Sequence, residues 1–230
     1  MGESTRGFMI QNGALVGAAV RDANIVVPEG VRSIAFGAFS GHHRLESITL
    51  PAGIKRIESN AFFGCDQLKK VVFSQGPEYV GDHAFSGCGS LTEILFADGL
   101  REIGGHAFCD CRALKRVSFP QGLKRIGSAA FSGCSALEEI VLPESLKEIG
   151  SQAFYKCEAL RDVRFPQGLT RVGTEAFFRC KKMSSVSLPD SVKDVGRNAF
   201  CLCEGLGRVD LPEGLKNVEN LGFSSCPRLF

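Results

Sequence analysis

The residues whose types could do chemistry are ten cysteines and four histidines. Eight of the cysteines, Cys65, Cys88, Cys111, Cys134, Cys157, Cys180, Cys203 and Cys226, recur every 23 residues. An even set of thiols invites a disulfide framework, and thiolates with imidazoles are ligands for zinc. The period argues against both. If the chain coils with that repeat, equivalent Cα atoms stand about 4.8 Å apart, as neighbouring strands do. A disulfide spans that distance, but thiols in one column point the same way and not at each other. A reduced ladder of small buried hydrophobes, each thiol a weak donor to a turn carbonyl, is favoured over disulfides or metal.

The remaining chemistry is thin. Cys109-x-Cys111 and Cys201-x-Cys203 look like two halves of a zinc site. Four coils separate them, about 19 Å on the same spacing, whereas a zinc–sulfur bond is about 2.3 Å. Cys109 and Cys201 occupy a column otherwise holding Ser, Phe or Tyr, and read as partly exposed filler. His83 and His106 share a column and could stack on adjacent coils, but Asn60 and Ala129 flank them and bring no third ligand. His42 and His43 are expected in an irregular first turn. No G-x-S-x-G, P-loop or H-E-x-x-H occurs, and the acidic residues are spread evenly. The expectation is no catalytic residue, no cofactor and no metal.

The elements that position these residues follow from the repeat. A phenylalanine recurs at Phe39, Phe62, Phe85, Phe108, Phe131, Phe154, Phe177, Phe200 and Phe223, eight times after Ala. A fixed period of this size marks a solenoid of stacked coils. An apolar pair such as Ile140-x-Leu142 has the two-residue alternation of a strand, and neighbouring coils must pair these strands in parallel. The following Pro ends each strand, because it has no N–H for the ladder, and Gly122, Gly168 and Gly214 allow the turn two residues later. A second extended piece carries Leu123 and Ile126, and the compact Ala-Phe turn follows it. At the amino end, Asn12-Gly13 between apolar runs predicts a type I′ hairpin. The reading is a cap over 1–24 and an array over 25–230, together one domain. Met1 to Gly7 reads as a tag remnant or a trimmed mature start, and the amino end makes a poor signal peptide.

The string A-F-x-x-C-x-x-L-x-x-I-x-L-P, clearest from Leu142 to Pro166, resembles the BspA-like leucine-rich repeat family, and the match covers roughly Ile25 to Leu229. Departures include His42 for Cys, Ser74 and Ala97 for Pro, Pro77 for Leu and Met183 for Leu. The resemblance implies a right-handed, curved, β-rich superhelix of about nine coils with a parallel concave sheet. It also implies a bacterial cell-surface or secreted setting, where some members are adhesins binding host or matrix proteins.

With 44% hydrophobic and 23% charged residues and a net charge of +2, nothing points to nucleic acid, and no stretch suggests membrane insertion. On the expected concave sheet the exposed columns place Lys70, Val72, Glu93, Leu95, Arg116, Glu139, Val141, Asp162 and Arg164 near the centre. Apolar residues flanked by mixed charge are candidates for a protein-binding patch, although an ordinary solvated sheet face is the weightier reading from sequence. Arg32, Lys55, Arg101, Lys124, Lys147, Lys193 and Lys216 form a mostly basic column, broken by Glu78 and Thr170 and partly cancelled by Glu102, Glu148 and Asp194, and read as solvated edge charge. Pro77-Glu78-Tyr79 is the expected local irregularity. The leading expectation is a non-enzymatic recognition module for a protein partner. The alternative is a structural spacer, or a segment that self-assembles through an open edge at Val209 to Leu211, monomeric or weakly dimeric.

Overall fold

Nine phenylalanine rings in one column run the length of the molecule, because each coil presents the same side chain at the same depth. In the computed structural model, which describes residues 3–5, 7–215, 223 and 225–229, successive rings from Phe39 to Phe223 stack 4.9–5.6 Å apart and within 13° of parallel. Phe96, Phe119 and Phe165 meet this column edge-on at 5.6–5.9 Å. Offset-stacked and edge-on pairs of this kind add about 1 kcal/mol each beyond the area they bury. The product is a β-solenoid of about nine stacked coils of 23 residues with parallel sheets and, among the described residues, no helix.

Each Ala-Phe turn is held by hydrogen bonds within and between coils. The Phe62 N–H donates to the Ala84 carbonyl at 2.7 Å, one coil on, and the pattern repeats at Phe85 and Phe108. Both ends of the turn adopt the left-handed region. Asn60, His83, His106, Ala129, Gln152, Glu175 and Asn198 begin it at φ 53–57°. Gly64, Gly87, Asp110, Gly133, Lys156, Arg179 and Leu202 close it. The first turn is regular, contrary to expectation: Gly37 and Gly41 take the same two positions. His42 stands in the thiol column and its Nε2 lies 2.7 Å from the Val20 carbonyl. The layer beneath it is the hairpin cap, whose carbonyl is reached by a longer side chain than cysteine.

The repeat builds two ladders of unequal quality. One pairs the two-residue strands Ser33–Ile34, Arg56–Ile57, Tyr79–Val80, Glu102–Ile103, Arg125–Ile126, Glu148–Ile149, Arg171–Val172 and Asp194–Val195 without a break. The cap joins this ladder: Phe8–Gln11 and Ala14–Ala18 form the hairpin, with Asn12 at φ 51° and Gly13 at φ 78°, and Ala14–Ala18 pairs parallel with Ser33–Ile34. Glu3–Thr5 adds an antiparallel strand to Phe8–Gln11, which the sequence reading did not expect. Coils approach so closely here that a Cβ on Gly127 or Gly150 would lie 2.6 Å from backbone of the preceding coil.

The other ladder, carried by the I-x-L strands and expected to be the main sheet, is broken into three. Asn24–Val26, Ser47–Leu50 and Lys70–Phe73 form one piece, Glu93–Leu95, Arg116–Ser118 and Glu139–Val141 the second, and Ser185–Ser187 with Arg208–Asp210 the third. The second break has a visible cause. The Ser184 and Ser185 N–H groups donate to Asp162 Oδ1 at 2.9 and 2.8 Å, so a side chain takes the place of a ladder carbonyl. The first break adjoins the coil where Ser74, Pro77 and Ala97 depart from the consensus. The Pro77-Glu78-Tyr79 segment itself is regular, since Tyr79–Val80 pairs on both sides. Of the three glycines assigned to turns, only Gly122 needs its conformational freedom, at φ 148°.

Candidate functional site

The thiols can be set aside on geometry. Each of the eight column thiols donates to the carbonyl of the phenylalanine 26 residues earlier, from Cys65 to Phe39 at 3.0 Å through Cys226 to Phe200 at 3.4 Å. All ten cysteines are free of disulfides. Burial pushes the Cys65 and Cys203 thiols up to about 12, and it pushes Cys111, Cys134, Cys157 and Cys180 well above their ordinary value. Such groups stay protonated, and a thiol is neither nucleophile nor metal ligand in that form. Half-buried Cys109, raised to about 11 mainly by burial, points its sulfur at the Asp110 carboxylate. Cys201 is buried, not partly exposed.

His83 and His106 do stack, rings 4.6 Å apart and 5° from parallel. Burial, then the neighbouring imidazole, lowers the His106 pKa. Among the described residues no three His, Cys, Asp or Glu side chains are grouped to hold a metal, and no helix is long and apolar enough to cross a membrane.

The site with shape lies on the central piece of the I-x-L ladder. Pleating alternates side chains, so buried Ile94, Val117 and Ile140 turn Leu95, Ser118 and Val141 outward. The register sets Leu95 opposite Ser118 and Ser118 opposite Val141, and an isolated bridge extends the row to Arg164. Leu95 is 54% exposed and Val141 75% exposed. The small Ser118 between them leaves a hollow of about 290 Å³, floored by Val117 and Phe119 and edged by Arg116 and Glu139. Glu93, Arg116 and Glu139 are also in register. They alternate in sign, yet none of them forms an ion pair within 4 Å among the described residues.

The structure therefore brings together Glu93, Leu95, Arg116, Glu139 and Val141, with Arg164 beside them. Three other candidates stand differently. Lys70 and Val72 lie on the neighbouring coil, which packs against the central piece with the Phe73 and Phe96 rings 5.5 Å apart, but a break in strand pairing lies between them and Val72 is half-buried. Asp162 spends its carboxylate on Ser184 and Ser185. Burial pushes its pKa up, but those backbone and hydroxyl donors outweigh burial and hold it below the usual carboxylate range. Sequence reasoning passed over Ser118, whose small size makes the hollow, and Val26, 70% exposed at the head of the same column. The Ile25-x-Val27 alternation was the signal for Val26.

On the strands of the other ladder several exposed charges are paired. Arg125 reaches Glu102 at 2.9 Å and Glu148 at 3.6 Å, Arg171 reaches Asp194 at 3.0 Å, and Arg56 reaches Glu58 at 2.7 Å. Arg56 also lies 4.3 Å over the Tyr79 ring.

Comparison with known proteins agrees with this architecture. The model of the BspA type leucine rich repeat region, in six copies, matches residues 18–138 and 124–229. A leucine-rich repeat protein of T. pallidum is 31% identical, with 96% of each chain covered and a TM-score of 0.68. One from Eubacterium ventriosum is 20% identical at a TM-score of 0.62, over 88% of this chain and 64% of that one, and shares the fold. No curated protein matches. The thiol–carbonyl ladder, the phenylalanine column and the matched span together establish that the chain belongs to the BspA-type leucine-rich repeat family.

Proposed function

We propose that this chain is a non-enzymatic recognition module that binds a protein partner through the central I-x-L face, as a bacterial cell-surface or secreted, adhesin-like protein. The observation that carries the reading is the pair Leu95 and Val141, exposed across the Ser118 hollow and bordered by Arg116 and Glu139, whose charges form no ion pair among the described residues. Exposed aliphatic groups beside unpaired charge gain from desolvation by a complementary surface, and the charges set its orientation. The surface setting draws on the family resemblance and on the bacterial relatives.

The test is an array of purified host serum and extracellular-matrix proteins probed with the whole chain. Leu95→Glu combined with Arg116→Glu is expected to abolish the strongest capture and leave the melting temperature almost unchanged. Undiminished capture by that variant would remove this face from consideration, as would an array with no bound protein. Protease treatment of intact source cells checks the setting: an external chain is digested and an internal one is spared.

A structural spacer or self-assembling repeat segment is the second reading. It draws on Arg208–Asp210, which pairs with Ser185–Ser187 and, among the described residues, with no strand on its other side. Unpaired edges invite strand addition. Light scattering decides: a concentration-dependent dimer lost in Asp210→Pro supports assembly, and a strict monomer excludes it.

A further inference from the structure

The basic column is exposed, and part of it stands without a balancing charge. From sequence, the acidic residues of the neighbouring column partly cancel it. Instead Glu102 and Glu148 are taken by Arg125, and Asp194 by Arg171, within that neighbouring column. Glu78 interrupts the basic column between Lys55 and Arg101; it pairs with Lys55 at 2.9 Å, and Arg101, farther off, adds only a lesser part to the lowering of its pKa. What remains is Arg101, Lys124 and Lys147 on three consecutive coils, all exposed and none within 4 Å of a carboxylate among the described residues.

The three are in direct register. The Lys124 N–H donates to the Arg101 carbonyl at 2.8 Å, and the Lys147 N–H to the Lys124 carbonyl at 2.9 Å. Like charges directly opposite on a ladder are destabilising. The two outer columns elsewhere relieve this by alternating sign, as Glu102, Arg125 and Glu148 do, and as Glu93, Arg116 and Glu139 do. The Lys147 ammonium is steered along the stack by the Gly168 carbonyl at 3.2 Å, which leaves its charge unneutralised. Lys193 extends the row beyond Thr170.

We propose that this row binds an acidic polysaccharide lying along the stack axis, its sulfates or carboxylates seated against Arg101, Lys124 and Lys147. A row of cations spaced about 4.8 Å apart presents a linear positive field, and a linear polyanion relieves the repulsion that the fold otherwise carries. A glycan suits it better than a single-stranded nucleic acid, which needs free aromatic faces for its bases. The Tyr79 ring, next in sequence to Glu78 of that column, is already covered by Arg56. This site is independent of the I-x-L face, on a different ladder.

The whole chain is titrated against heparin and against polygalacturonate at low salt, and thermal melting is followed in parallel. Binding to at least one, falling as salt rises, is expected. Binding to heparin alone assigns sulfate, and to polygalacturonate alone assigns carboxylate. Lys124→Glu should weaken it about tenfold or more and also raise the melting temperature, because Arg101 and Lys147 would then flank a carboxylate. Lys124→Gln should weaken it less and should not lower the melting temperature. Lys70→Glu makes the same charge change on the I-x-L face and should leave affinity within about twofold. The proposal is overturned if neither glycan binds, if Lys70→Glu and Lys124→Glu weaken binding equally, if Lys124→Glu melts lower, or if oligodeoxythymidylate binds more tightly than either glycan.

Discussion

The two ladders come from one repeat, yet one is continuous and the other is interrupted twice. The continuous ladder has coils in such close approach that its glycines admit no Cβ, and the charges on its strands pair with one another, Arg125 with Glu102 and Glu148 and Arg171 with Asp194, beside the unpaired row of Arg101, Lys124 and Lys147 among the described residues. The interrupted ladder gives up hydrogen bonds at Asp162, keeps Leu95 and Val141 in water, and leaves Glu93, Arg116 and Glu139 without an ion pair among the described residues. A solenoid needs one ladder to set its rise. Once that ladder and the phenylalanine column fix the spacing, the other face can carry side chains chosen for something other than stability.

The widest-reaching check concerns what holds both ladders on a common interior. A thiol whose folded pKa lies above its unfolded value near 9 binds more protons folded than unfolded in the interval between them. Its stabilisation is therefore whole below about pH 9 and is lost as pH rises through the folded value. Cys65 and Cys203, at about 12, bracket the window. Denaturant titrations should show stability flat to pH 8, then falling by up to about 1.4 kcal/mol per pH unit for each thiol that ionises only on unfolding. A flat profile to pH 11 would place the sulfurs in water.

Within the continuous ladder, Gly150→Ala drives a Cβ against the Gly127 carbonyl carbon at 2.6 Å. We expect a loss of about 3 kcal/mol in chemical denaturation. A silent substitution would mean that the rise is set elsewhere. Arg125→Ala releases Glu102 and Glu148 at the surface and should cost about 0.5–1 kcal/mol, less at high salt.

The smallest effect belongs to the interrupted ladder. Leu95→Ser with Val141→Ser, both outward-facing, should alter stability by under about 0.5 kcal/mol. A larger loss would show that these residues serve packing, and the contrast between the ladders would disappear.

Much of the fold was readable from spacing alone. Phe39 through Phe223 and the cysteine column named the interior, and the weak donor role foreseen for the thiols is met at the phenylalanine carbonyls. The left-handed residues that begin each Ala-Phe turn were invisible, because Asn60, His83, Ala129 and Glu175 share no residue type that signals the conformation. Of the candidate face, Leu95, Arg116, Glu139 and Val141 stand together, Lys70 and Val72 lie on the adjacent coil across a break in strand pairing, and Asp162 is engaged by Ser184 and Ser185. Asp162 looked like any exposed acid in its column. Only the placement of the Ser184 and Ser185 amides turned it into a ladder breaker.

From its sequence by itself, this protein's coil length, its inward side chains and its family pattern were already determined, because a period of 23 with fixed apolar columns has one way to bury them. Which ladder runs unbroken, which charges find partners and where a hollow opens were decided by the tertiary structure. Those outcomes depend on the offset between coils and the direction of individual side chains. A residue's type does not carry that information, and only its neighbours one coil above and below supply it.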